Sequence, residues 1–151
     1  LGLIDAGTVT AQDRHVLGQT RRSSIRSFVP VSTDPRQHLG RLGEQLAAEH
    51  LERLGYTILC RNHRTRFGEI DLIACAGETL VFVEVKCRRG RGEPWDALHE
   101  AKRAQVRRMA RAYLTDATDR PRTQLVRFDA IGVVIDLRGR LTRLEHLENA
   151  F

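Results

Sequence analysis

The segment from Gly68 to Cys87 constrains this chain more than any other. It reads as two apolar runs around Gly77-Glu78: Ile70, Leu72, Ile73 and Ala74, then Leu80, Val81, Phe82, Val83 and Val85. Strands that are apolar on both faces belong inside a sheet covered on both sides. Glycine first in a two-residue loop suits a type II′ hairpin turn. Such a loop sets Asp71 opposite Glu84 and Glu69 opposite Lys86. Residues two apart on a strand share a face, so all four charges are expected together at one end of a buried hairpin. Directly paired Cβ atoms then sit roughly 4.5–5.5 Å apart.

A charged quartet in that place is costly unless it has a use. Two facing carboxylates repel, so one takes a raised pKa or both share a cation. Oxygen ligands suit Mg²⁺ or Mn²⁺. A lysine beside such an ion is what phosphodiester hydrolysis needs, because it offsets charge that develops in the transition state. The plain alternative is a set of cross-strand contacts at a sheet edge, with Glu69–Lys86 as an ordinary salt bridge. It accounts for that pair, but not for two acids facing each other.

The remainder of the chain reads as layers around this hairpin. Residues 1–36 mix Gly, Thr, Ser, Asp and Arg without a sustained period, and are expected to form a flexible basic tail. From about Gln37, residues Leu39, Leu42, Leu46, Ala47, His50, Leu51 and Leu54 follow helical spacing, and Gly55 stops the helix. Tyr56 to Arg64 reads as a strand, followed by the hairpin strands Gly68–Cys75 and Thr79–Cys87. A basic loop is expected over residues 88–92. Asp96 to about Thr115 forms a second helix, with Val106, Met109, Ala110, Tyr113, Leu114 and Ala117 as its apolar stripe. Gln124–Asp136 is a strongly apolar, central strand, and Leu141–Leu147 a short last one. The α-β-β-β-α-β order predicts one α/β domain over residues 37–151, a mixed sheet flanked by helices.

The 151 residues carry a net charge of +6 and a pI near 10, which favours polyanionic partners, nucleic acid first. Of the 25 Lys and Arg residues only Lys86 and Lys102 are lysine, so arginine bias itself accounts for part of the basicity and makes each lysine more informative. Cys60, Cys75 and Cys87 form no C-x-x-C pair, which argues against zinc and for a reducing compartment. No run approaches the ~20 apolar residues of a membrane span. Thr20-Arg21-Arg22 has no apolar stretch after it and is not read as an export signal. The expected location is the cytoplasm, with no membrane partner.

Asp71 and, twelve residues on, Glu84-Val85-Lys86 resemble the D…(D/E)-x-K signature of the restriction-endonuclease-like superfamily. Longer strings are more specific: Leu42-Gly43-Glu44, Gly68 to Ala74, Phe82 to Lys86, Arg127-Phe128-Asp129 and Glu148-Asn149-Ala150-Phe151. Together they resemble the uncharacterised YraN family of bacterial proteins, over about residues 38 to 151. The resemblance implies an endonuclease-like fold, similar to that of archaeal Holliday-junction resolvases. It implies metal ligation by Asp71, Glu84 and the Val85 carbonyl, with Glu44 of the first helix joining the site and Lys86 acting in catalysis. Where the superfamily often has proline before the aspartate, Ile70 stands.

Nucleic-acid contacts are expected from Arg88, Arg89 and Arg91 and from Lys102, Arg103 and Arg107. The competing readings are a solvated helix face for the arginine stripe and a snorkelling Lys102. Asp129 is expected to form a buried pair with an arginine, and Trp95 to anchor packing. The leading expectation is a Mg²⁺-dependent nuclease acting on DNA, on branched or damaged structures. The alternatives are a non-catalytic nucleic-acid-binding or partner-binding module on the same fold, and an RNA-directed nuclease. A homodimer stays open.

Overall fold

The computed structural model describes residues 34–91, 93–97, 99–122 and 125–151. The expected N-terminal tail lies outside these residues except for positions 34–36, as does Gln124. The elements are α1 (Pro35–Arg53), β1 (Thr57–Thr65), β2 (Gly68–Ala76), β3 (Thr79–Arg89), a 3-10 turn at Pro94–Ala97, α2 (Glu100–Asp116), β4 (Leu125–Ile135) and β5 (Leu141–Leu147). This is the α-β-β-β-α-β order with the short last strand added.

The five strands form one mixed sheet in the order β1-β2-β3-β4-β5. β3 and β4 run parallel, joined through α2, and the other neighbours are antiparallel. β3 therefore lies at the centre, buried on both faces, as its unbroken apolar run demands. On one face Ala47, Ala48 and Leu51 of α1 pack on Leu72, Ala74, Val81, Val83, Val85, Ile131 and Val133. On the other, Val106, Met109, Ala110 and Tyr113 of α2 pack on Ile70, Ile73, Leu80 and Phe82.

Three boundaries differ from the sequence expectation by two residues or more. Helix α1 starts at Pro35, inside the expected tail, because Asp34 caps it: the Asp34 carboxylate accepts from the Arg36 N–H at 2.9 Å. Proline at the first helical position lacks only an N–H that would have had no helical partner. Helix α2 starts at Glu100 rather than Asp96, with His99 as cap, its ring accepting from the Lys102 N–H at 3.3 Å. Strand β3 continues through Arg88 and Arg89, expected as loop, because β4 offers ladder partners as far as Ile135.

Cys60, Cys75 and Cys87 are free thiols. Among the described residues no helix is long and apolar enough to cross a membrane.

Candidate active site

The β2–β3 ladder follows the expected register from Ala76↔Thr79 to Leu72↔Val83 and stops there, one residue short of Asp71. Beyond that point the Asp71 side chain takes over from the backbone. Its Oδ2 accepts the Val85 N–H at 2.7 Å. The side-chain alternation also slips at Asp71: Ile70 packs on the α2 side and Leu72 on the α1 side, although they are two apart. The neighbouring strand explains the slip. β1 pairs Arg61 with Leu72 and His63 with Ile70, and Asn62 between them has φ 54°. Asparagine is one of the few residues that adopt this left-handed conformation readily, and such a residue in a strand re-aims its neighbours.

The slip corrects the expected quartet. Glu69 does not pair with Lys86; it meets Arg64 at 3.2 Å in an exposed pair, of the kind worth little. Lys86 turns instead to the carboxylate two residues before it, Glu84.

Glu84 is 2% exposed, and a carboxylate that deep needs compensation. It has two cations. Lys86 Nζ contacts Glu84 Oε1, and Lys102 Nζ reaches the same oxygen at 2.9 Å from the first turn of α2. The chain's only two lysines therefore converge on one carboxylate oxygen. Lys102, expected to contact nucleic acid or to snorkel, is held at the centre of the site.

Asp71 has no lysine of its own. Burial first, and the Glu84 charge second, push its carboxyl up to about 7, with Glu44 adding to the rise; the Val85 N–H and Lys86 pull the other way. Asp71 and Glu84 thus interact strongly without facing each other in the ladder. Glu44 approaches from α1, half-buried. Burial raises its pKa, while a hydrogen bond with the Asn62 side chain opposes the rise. The approach depends on Gly43. A Cβ there would lie 2.5 Å from Cys87 Cβ, so only glycine lets α1 lie this close to β3 beside Lys86. Ile70 is 1% exposed and packs in the core under α2.

The other expected residues lie outside this centre. Arg88 and Arg89 end β3, exposed, and Arg91 follows Gly90, whose N–H donates to Ile135 O at 2.9 Å. Arg107 is paired with Glu100 at 3.5 Å. Arg103 is partly buried, its Nε without a hydrogen-bond partner among the described residues. Trp95 packs over Gly132 and donates to Glu145 Oε2 at 2.7 Å, which is an anchoring role.

The strings Arg127-Phe128-Asp129 and Glu148 to Phe151 form a separate lock. Arg127 grips both oxygens of the fully buried Asp129 at 2.8 Å and reaches Glu148 at 3.0 Å. His146 meets Asp129 Oδ2 at 2.8 Å, and the Asn149 N–H donates to Oδ1 at 3.0 Å. The Ala150 N–H donates to Phe128 O at 2.7 Å. These contacts fasten the C-terminal residues to β4.

Among the described residues no group of three or more His, Cys, Asp or Glu side chains is arranged to hold a metal ion. Mg²⁺, however, is commonly held by only one or two carboxylates, with water and substrate phosphate completing the shell. The donor set here is of that kind: two neighbouring carboxylates, with the Asp71 pKa raised to about 7 by burial first and by the Glu84 charge second. Asp71 and Glu84 fit an ion shared with water and substrate, not an all-protein cage.

Sequence comparison adds relatives to this geometry. The family model described as uncharacterised protein family UPF0102 matches residues 43–133, a span that includes Glu44, Asp71, Glu84, Lys86 and Lys102. A UPF0102 protein of Pelotomaculum thermopropionicum is 45% identical over 120 residues, covering 78% of this chain and 98% of that protein. One from Acidothermus cellulolyticus is 47% identical over 126 residues, covering 77% and 95%. One from Dictyoglomus thermophilum is 34% identical over 117 residues, covering 76% and 98%.

Proposed function

The chain belongs to the uncharacterised protein family UPF0102, the YraN family, and on that footing we propose that it is a metal-dependent nuclease of the restriction-endonuclease-like superfamily, hydrolysing phosphodiester bonds in DNA. The observation that carries the reading is the gathering of Asp71 and Glu84 on neighbouring strands, with Asp71 fixed on the Val85 N–H and both lysines of the chain on Glu84.

Asp71 and Glu84 would hold Mg²⁺ or Mn²⁺, with the Val85 carbonyl as a further ligand by the superfamily resemblance. When bound, such a cation supplies Lewis-acid neutralisation of the phosphate charge. The remaining chemistry belongs to the chain. The Val85 N–H fixes the Asp71 carboxylate in one orientation. Lys86 extends from the same strand as Glu84 and is partly exposed, so it can leave Glu84 for an incoming phosphate. There its ammonium orients the attacking water and stabilises the charge of the pentavalent transition state. Lys102 stays on Glu84 and holds that carboxylate in place while Lys86 is engaged. Glu44, held by Asn62, completes the site through water. DNA is preferred on the basic charge, and branched or damaged DNA on the likeness to resolvases.

A second reading is a nucleic-acid-binding module without catalysis. It draws on the same two lysines, which in this structure neutralise Glu84. Calorimetric titration with Mg²⁺ and Mn²⁺, followed by an assay on linear, nicked, flapped and four-way-junction DNA, separates the two. The nuclease reading expects metal binding that Asp71→Ala abolishes, together with cleavage of at least one substrate. The absence of both carboxylate-dependent metal binding and cleavage would overturn it.

A further inference from the structure

On the far side of the hairpin from the α1 contact, the turn between β1 and β2 leans on the middle of α2. Two contacts fasten it. The Gln105 amide donates to Phe67 O at 2.9 Å. Gly68, at φ 134°, lies so close that a Cβ there would meet Gln105 Nε2 at 2.8 Å and Met109 Sδ at 3.0 Å. The contact leaves a groove of about 460 Å³ lined by Arg66, Phe67, Arg108 and Arg111, with Asp116 at one end.

What marks this groove is that three arginines and one exposed aromatic ring line the same concavity. Among the described residues no ion pair holds Arg66, Arg108 or Arg111. Three unneutralised guanidinium groups in one concavity create a positive potential that attracts a polyanion. Between them lies Phe67, exposed, with the Arg66 guanidinium 4.8 Å from its ring centroid. An aromatic ring among arginines is the arrangement that takes a base and its flanking phosphates from an unpaired strand.

We propose that this groove binds a single-stranded nucleic-acid segment, with phosphates on Arg66, Arg108 and Arg111 and a base or sugar on Phe67. The inference rests on the reading above that the substrate is nucleic acid, and it names a second contact on that substrate. Arg108 lies six residues beyond Lys102 on α2, about 9 Å along the helix axis. The two residues also lie about 120° apart around the helix, so the groove is a contact outside the carboxylate centre. An unpaired strand next to duplex occurs at flaps, nicks and junctions. The groove is thus a means of selecting such structures without reading sequence.

The test needs neither metal nor cleavage. A labelled twelve-nucleotide oligo-dT, and an abasic strand of the same length, are titrated with the full chain in EDTA over a range of salt concentrations, with anisotropy as the readout. Arg108→Ala with Arg111→Ala should weaken both ligands and reduce the salt slope by about 1.4, two phosphates at ~0.7 each for single strands. Phe67→Leu keeps the apolar volume and removes the aromatic face. It should weaken oligo-dT on the order of tenfold and leave the abasic strand unchanged. Asp116→Asn should tighten both. Circular dichroism of each variant checks the fold.

Unchanged affinity and slope in the double arginine variant would overturn the proposal, as would a Phe67→Leu effect that is equal on both ligands. Preference for blunt duplex over the single strand would also overturn it. Failure of the nuclease reading would look different: groove binding intact, with no metal-dependent cleavage.

Discussion

The Val85 N–H donates to Asp71 Oδ2 at 2.7 Å, so an aspartate side chain stands where the β2–β3 ladder would otherwise continue. The acid is built into the sheet and yet held off its partner acid, Glu84. Its pH behaviour follows. The folded-state pKa is raised to about 7 by burial and by Glu84, above the ordinary carboxylate value. The fold therefore favours protonated Asp71. That contribution to stability is fully present below about pH 4 and is lost as pH rises through about 7.

Replacing Asp71 by Asn keeps an acceptor for the Val85 N–H and removes the charge. Asp71→Asn should therefore unfold at higher temperature than wild type at pH 8, by the equivalent of a few kcal/mol, and the gain should vanish near pH 4. Differential scanning calorimetry across that range checks it. A gain that grows toward acid pH would contradict the sign.

Lys86 and Lys102 share one oxygen of Glu84, so neither alone is its whole compensation. Either single alanine variant should fold with a modest loss. The double variant leaves a buried carboxylate uncompensated and should lose about 3–5 kcal/mol, more than the two single losses together. A urea double-mutant cycle measures the excess. In the nuclease assay Lys86→Ala should cut the rate while largely preserving metal affinity, since lysine acts in the transition state rather than in ligation.

Gly43 permits the approach that brings Glu44 to the site. Gly43→Ala places a methyl group 2.5 Å from Cys87 Cβ, and α1 must shift from β3. The expected cost is about 1–3 kcal/mol, against the small gain that alanine brings to an open helix position. Gly43→Ala with Cys87→Gly should recover most of the loss, which chemical denaturation would show.

Asp129 carries a prediction for acid. Burial alone would raise its pKa, but hydrogen bonds from His146, Arg127 and the Asn149 backbone outweigh burial and hold it below the ordinary carboxylate range. Its contribution is present above about pH 4 and is lost as pH falls below that. Asp129→Asn removes the buried charge that Arg127 and His146 share and should cost on the order of 3 kcal/mol at pH 7, less than a complete loss of partners would, because Arg127 keeps Glu148. Its stability should converge on that of wild type in strong acid. Parallel thermal melts at pH 7 and pH 2.5 check this.

The sequence by itself determined the element order, the two-sided burial of the central hairpin, and the register from Leu72 to Ala76. Each is local: alternation, helical spacing and a two-residue turn act over a few neighbouring residues, and no distant contact competes with them. It also marked Asp71, Glu84 and Lys86 by their cost in an apolar strand, and the two lysines by their rarity in an arginine-rich chain.

What those charges pair with was decided only by the tertiary structure. The faces slip at Asp71, opposite the left-handed Asn62 of a neighbouring strand that is itself irregular between Ile58 and Cys60. That turns Glu69 out to Arg64 and leaves Lys86 on Glu84. The arrival of Lys102 depends on where α2 docks, and that of Glu44 on how closely α1 can lie against Cys87. Salt bridges follow the positions of whole elements packed in three dimensions, and sequence spacing within one element does not carry that information.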